Sequence, residues 1–277
     1  MNSRITLLRG LLAAATIALG AGQETPLAAQ ELPDHDLFTR VLEEVVHLPN
    51  VDYAHLKENR AELDRYIAEL GRTTPEALER APREDRLAFW INAYNACMLL
   101  IVIDHYPIEA GGAGLFGSVR NLVAGYPENS VWQIRDVFTR DHCAVAGERR
   151  SQDEIEHEII RPRFQEPRIH FAVNCAARSC PVLWPEAYEG SRLEEQLERA
   201  VVQLMATRDH FQLTPGDPAT LRLNKVLDWY REDFDGIAGL RHFFAEYLEG
   251  GDREVVLRND TRVEFVEYDW TLNDLPR

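Results

Sequence analysis

The run Leu87–Ile103, LAFWINAYNACMLLIVI, is apolar on every face apart from Asn92 and Asn95. A helix with no polar stripe must be surrounded on all sides, by lipid or by protein. Its seventeen residues fall short of a comfortable membrane span, and two amides are expensive in hydrocarbon. The run therefore predicts a helix buried at the centre of a folded domain. An unpaired buried polar group costs about 1–3 kcal/mol, so Asn92 and Asn95, one turn apart, are expected to have specific partners. Trp90 and Tyr94, at i and i+4 on the same helix, are either core residues or the platform of a ligand site.

The surrounding sequence supplies material for such a domain. Leu37, Phe38, Val41, Leu42 and Val45 recur at helical spacing, and Leu63, Tyr66, Ile67 and Leu70 do so up to Gly71. Thr74-Pro75 opens a short further helix. Ser151-Gln152-Asp153-Glu154 is a capping box for a helix that Pro162 is expected to end. Short strands are expected at Trp132–Ile134 and around the turn in Cys143–Glu148. Ile169, Phe171, Val173 and Cys175 alternate with His170, Ala172 and Asn174, which predicts a strand. Helices are expected at Leu193–Leu204, around Val226–Tyr230 and near Leu240–Leu248. A closing hairpin is expected from Glu254–Leu257 and Arg262–Tyr268 around Asn259-Asp260-Thr261. Helices and strands do not alternate regularly, so the fold class is α+β: a single helix-rich domain over 37–277, with a central buried helix and a small, mainly antiparallel sheet.

Charge narrows the partners. With 30 Lys+Arg against 46 Asp+Glu the chain carries −16, and no long basic run offers a footprint for nucleic acid or anionic lipid. The N-terminus has Arg4 and Arg9, an apolar stretch Leu11–Leu19 and the small residues Gly20-Ala21-Gly22. This pattern reads as a signal peptide over 1–22, with cleavage between 22 and 29, followed by a polar segment over 23–36. Secretion or a periplasmic location is the expectation, with no membrane span left after cleavage. In that oxidising setting the four cysteines, Cys97, Cys143, Cys175 and Cys180, can form disulfides.

The stretch RIHFAVNCAARSCP, from Arg168 to Pro181, holds the densest chemistry. A thiol nucleophile needs a base or cation that favours its thiolate, and a group to orient that base. On an extended strand His170 and Cys175 stand about 16–17 Å apart on opposite faces, so Cys180, beyond the expected bend, is the better nucleophile for His170 as base. Three readings of the cysteines stay open: a Cys175–Cys180 disulfide, a reactive Cys180 thiol, or two inert buried thiols. Glu156 shares a helix side with Ile160 and is either the acid/base or orienting group, or the partner of Arg161 in a structural ion pair. Glu156 and His157 diverge by about 100° on a helix and share a pocket only at its rim. No zinc-binding spacing is present, and His157, His170 and Cys180 form the one conceivable composite metal site. No metal and no cofactor are implied. Gly111–Gly114 lacks the spacing of a phosphate-binding loop, and no serine-hydrolase elbow is present.

Trp90-Ile91-Asn92-Ala93-Tyr94-Asn95, Ile155-Glu156-His157 with Arg161, His170-Phe171-Ala172 with Cys175 and Ser179-Cys180-Pro181, Trp229-Tyr230 with Asp233-Phe234, and Tyr268-Asp269-Trp270 with Leu272-Asn273 occur in this order. In this the chain resembles the domain of unknown function 547 family, found in secreted bacterial proteins and in plants beside leucine-zipper regions. The resemblance runs from about Arg86 to Asn273 and implies positions rather than an activity. It places Asn92, Asn95, Glu156, His157, His170, Cys175 and Cys180 in motif positions and leaves Cys97 and Cys143 outside them. Where the family commonly has Leu after the capping Ser, this chain has Gln152, a departure at a cap and away from the site.

Two functions are compatible with these residues. One is a non-catalytic envelope protein binding a peptide, glycan or protein ligand, with Cys175 and Cys180 oxidised and Trp90, Asn92, Tyr94, Asn95, His157, Arg161 and Asn174 forming the binding network. The other is a thiol-dependent hydrolase or acyltransferase with Cys180 as nucleophile, His170 as base and Glu156 in support.

Overall fold

The computed structural model describes residues 32–276; the expected leader over 1–22 and most of the polar segment after it lie outside the described residues. The apolar run becomes the long helix α5 (Arg83–His105), which starts after Pro82 with Glu84 and Asp85 in its first turn, where carboxylates suit the helix dipole. It is long and apolar enough to cross a membrane, but 89% of its most apolar window is buried inside the protein. Both of its amides are satisfied. Asn92 Nδ2 donates to the Tyr188 carbonyl at 2.7 Å, and its Oδ1 accepts from the Tyr188 N–H at 2.8 Å. Asn95 does the same for the Ala172 carbonyl (2.9 Å) and the Asn174 N–H (2.9 Å).

Around α5 lie α1 (Asp36–Val45), joined by the two-residue strands β1 (Val46–His47) and β2 (Asn50–Val51) to α2 (Tyr53–Glu58), then α3 (Ala61–Arg72) and α4 (Pro75–Arg80). Thr74 caps α4 as expected, its hydroxyl accepting from the Ala77 N–H at 3.2 Å. After α6 (Gly114–Ala124) comes the hairpin β3 (Cys143–Val145) and β4 (Glu148–Arg150). The end of α3 docks against it through Ala146 N–H to Leu70 O and Gly147 N–H to Gly71 O. A Cβ at Gly71 would sit 3.2 Å from Ala144, tighter than ordinary van der Waals contact. Trp132–Ile134 is not a strand: Val131–Gln133 is a 3-10 turn, its N-terminus capped by the Ser130 hydroxyl.

The second part of the chain builds a separate apolar cluster from α8 (Leu193–Ala206), β5 (Phe211–Thr214), β6 (Thr220–Leu223), α9 (Val226–Trp229), α10 (Gly236–Ala245) and α11 (Gly250–Leu257). The strand β7 (Arg262–Phe265) completes a three-stranded sheet in the order β5-β6-β7, antiparallel for the first pair and parallel for the second. The expected closing hairpin does not form, because 250–257 is helical and buries Val256 in this cluster, leaving β7 to pair with β6. A short apolar run without clear period does not distinguish strand from helix. The α+β class, the helical majority and the buried central helix all stand as expected.

The cysteines are paired otherwise than expected. Cys97 on α5 is bonded to Cys143 at the start of β3, both fully buried, while Cys175 and Cys180 are free thiols.

Candidate active site

The predicted strand at Ile169–Cys175 is replaced by a 3-10 turn over Pro167–Phe171 and an irregular loop. The alternation of apolar residues is real, but Asn95 takes the Ala172 carbonyl and the Asn174 N–H, leaving no ladder for a neighbouring strand. Asn174 then shapes the loop from within: its Oδ1 accepts from the Ala176 N–H (2.9 Å) and its Nδ2 donates to the Pro181 carbonyl (2.7 Å). Ala176 adopts a left-handed conformation (φ 63°), and the C-terminal segment clamps the far side through Arg178 N–H to Thr271 O and Asn273 N–H to Ala176 O.

The turn carries Cys180 back towards Cys175. The Cys175 N–H donates to the Cys180 sulfur at 2.9 Å, and the Cys175 sulfur lies 3.1 Å from the Tyr268 hydroxyl. Burial pushes the Cys180 thiol up, but hydrogen bonds from the Cys175 thiol, the Tyr268 hydroxyl and the N–H groups of Cys175 and Ala177 more than offset it, and its pKa lies below the ordinary value. Cys175 moves the other way, well up, because it donates to Cys180 and is itself buried. The two sulfurs are thus pushed in opposite directions, Cys180 towards the thiolate and Cys175 towards the thiol.

His170 is not hydrogen-bonded to either cysteine. Its Nε2 lies 2.7 Å from Asp233 Oδ2, its ring stacks on Tyr230 (4.0 Å between centroids), and its Nδ1, buried and without a hydrogen bond, faces Glu156 Oε1 at 3.8 Å. Arg161 does not pair with Glu156 as the sequence suggested. It forms a two-pronged contact with Asp233 at 2.7 Å on each prong, and its Nη1 donates to His157 Nδ1 at 3.0 Å. Burial pushes the Asp233 carboxyl up, but Arg161 and His170 together hold it far below the usual carboxylate range. Glu156 is buried, and burial together with that neighbouring carboxylate pushes the Tyr230 hydroxyl far up.

Pro162 does not end the helix that carries Glu156 and His157. It lacks an N–H and its ring crowds the carbonyl four residues back. The chain responds by widening: Glu154–Ile160 is a π-helix, closed by Arg161 N–H to Glu156 O, and α7 (Arg161–Phe164) continues beyond it. Both Glu156 and His157 line the cavity, which the α-helical spacing of 100° made difficult. Such widened turns recur at functional sites.

The cavity has a volume of about 420 Å³ and brings together Cys175, Cys180, Glu156, His157, His170 and Tyr94. Of the other expected site residues, Trp90 packs in the core against Phe89, while Asn92, Asn95 and Asn174 act as scaffold for backbone groups. Gln152 is closer to the site than expected: it is buried and donates to the Tyr94 carbonyl at 3.0 Å. His157, His170 and Cys180 line one cavity, but among the described residues no three His, Cys, Asp or Glu are grouped to hold a metal ion. The sequence reading missed Asp153 as a cavity residue and the roles of Asp233 and Tyr268, which it placed only in the order of family motifs. It also missed the aromatic wall of Tyr126, Trp132, Phe138, Trp229 and Trp270. Their concentration in segments without clear periodicity was the signal available.

Comparison with known families places these motifs. Residues 78–203 match the family described as "Protein of unknown function, DUF547". Over that span the chain is similar to DUF547 proteins. The matched span is narrower than the resemblance suggested: it holds α5, the π-helix and both free cysteines, and stops before Tyr230, Asp233 and Tyr268. The cavity is therefore shared between the DUF547 span and the C-terminal segment that covers it. No curated protein and no solved structure matches the chain.

Proposed function

We propose that this protein is a thiol-dependent hydrolase or acyltransferase, exported from the cytoplasm, with Cys180 as its nucleophile. The observation that carries the reading is the convergence of donors on the Cys180 sulfur, led by the Cys175 N–H at 2.9 Å, at the wall of a cavity large enough for a substrate. His170 loses the role of base to Cys180, since its ring is engaged by Asp233 and faces Glu156. The thiolate is instead favoured by fixed donors. In the reaction the thiolate attacks an acyl carbonyl, the leaving group departs with a proton, and water or a second nucleophile releases the thioester and restores the sulfur. Glu156 is the acid/base group of this scheme, with His170 and Asp233 as positioning residues. Export rests on the N-terminal sequence pattern and is consistent with the Cys97–Cys143 bond, which suits an oxidising compartment. The binding-protein alternative relied on a Cys175–Cys180 disulfide, and both are free thiols.

The test is alkylation of the native, unreduced protein with iodoacetamide at pH 7, followed by peptide mass spectrometry, alongside a burst assay with activated esters. Cys180 should be labelled first, and the burst should be stoichiometric and absent in Cys180→Ser. A native Cys180 that resists alkylation over hours overturns the proposal.

A further inference from the structure

The cavity has an unusual balance of charge. Among the described residues lining it there is no lysine or arginine, whereas Asp153 and Glu156 both reach it. Within the surrounding network, the Arg161 guanidinium is spent on Asp233 and His157. A guanidinium can only donate, so His157 Nδ1 accepts, and this one fixed positive charge stands against the three carboxylates Asp153, Glu156 and Asp233. The Asp153 carboxyl is pushed up by burial, against the opposing pull of His157 at 4.0 Å and with a smaller push from Glu156, and the guanidinium groups near the cavity, Arg120 over Trp132 and Arg161 over Tyr230, lie outside its lining.

The walls complement that charge. Tyr126 and Trp132 stack at 4.9 Å, Trp132 and Trp229 each meet Trp270 at 5.3 and 5.6 Å, and Tyr268 lies 4.5 Å from Trp270. Aromatic faces attract cations, most strongly where water is excluded. A further, independent feature points to a ligand that donates. His170 Nε2 must donate to the ionised Asp233, so Nδ1 is the free acceptor of that tautomer; it is buried, unpartnered and 3.8 Å from Glu156 Oε1. An N–H-bearing cation lodged beside both atoms would satisfy them together.

We infer that the aromatic cavity beside Cys180 binds a primary ammonium group on an apolar body, held by Glu156, Asp153 and the His170 Nδ1. As a statement of the substrate class, this rests on the thiol-enzyme reading; as a statement of binding, it can be measured without the sulfur.

The probe pair is benzylammonium and its neutral counterpart benzyl alcohol, titrated calorimetrically at pH 7 into the whole protein and into Cys180→Ser. The ammonium should bind at least about tenfold more tightly in both proteins. Asp153→Asn and Glu156→Gln, each checked for folding by circular dichroism, should each cut that preference several-fold; Asp153, nearer the surface, provides the test if the buried variant fails to fold. Equal affinity for the two probes, or no saturable binding of benzylammonium, overturns the inference. A preserved ammonium preference together with an unreactive Cys180 upholds the inference and rejects the thiol reading, so the two fail separately.

Discussion

The backbone N–H of Cys175 donates to the sulfur of Cys180 at 2.9 Å, so the two cysteines five residues apart meet as donor and acceptor and not as a disulfide. The Tyr268 hydroxyl, brought in from the far end of the chain, lies 3.1 Å from the Cys175 sulfur and helps to lower the Cys180 pKa.

Removing that hydroxyl should be visible in thiol chemistry. Tyr268→Phe should raise the Cys180 pKa and slow alkylation at pH 7 several-fold. The rate–pH profile measures both. In the wild type the rate should reach its plateau at lower pH than a free thiol, and in the variant the curve should move to higher pH.

Asp233 should govern acid stability. Its folded pKa lies far below the reference 3.8, so the stability it contributes is present above about pH 4 and is lost as pH falls towards the folded value. Asp233→Asn should cost about 2 kcal/mol at neutral pH, because Arg161 and His170 lose their shared carboxylate. The variant should also lack the extra loss between pH 4 and pH 2. Urea midpoints at pH 7, 4 and 2.5 check both statements.

Asn95→Ala should damage fold and site together. It strips partners from the Ala172 carbonyl and the Asn174 N–H, at a cost of about 3 kcal/mol for two buried backbone groups. Because Asn174 in turn holds Ala176 and Pro181, Cys180 alkylation at pH 7 should slow as well. Asn92→Ala, whose partner is the distant Tyr188 backbone, should show the stability loss without the change in rate.

The Cys97–Cys143 bond closes a loop of 46 residues. On chain-entropy grounds its loss in the double Cys→Ala variant should cost about 4 kcal/mol, readable as a lower urea midpoint. Native protein should titrate for two thiols, and mild reductant should not raise the number, since both bonded sulfurs are buried.

How legible these features are in sequence depends on the range of the interaction that creates them. The central helix was readable because seventeen consecutive residues carry one message, and its two amides announced that partners must exist. The Thr74 cap and the helices around Leu63–Leu70 and Leu193–Leu204 are likewise local. The Ile169–Cys175 alternation misled because a strand needs a neighbour, and Asn95, from 77 residues earlier, had already taken the Ala172 carbonyl. The Arg161–Asp233 pair spans 72 residues and the Tyr268–Cys175 contact 93. Nothing in local spacing could single out those partners, although family motif order had already marked Asp233 and Tyr268. The cysteine pairing failed for the same reason: proximity in sequence favoured Cys175 with Cys180, and the folded chain brought Cys97 to Cys143.

The widened turn at Glu154–Ile160 makes chain length itself part of the site. Deleting one residue there would let the segment relax to the ordinary α-helical period with its flanks still in register, removing the widening that lets neighbouring residues share one side. Glu156 or His157 would then leave the cavity with its identity unchanged. When relatives of this protein are aligned, a one-residue gap within 154–160 therefore marks an altered cavity even where every cavity-lining letter is retained, whereas gaps of several residues in surface loops carry no such meaning.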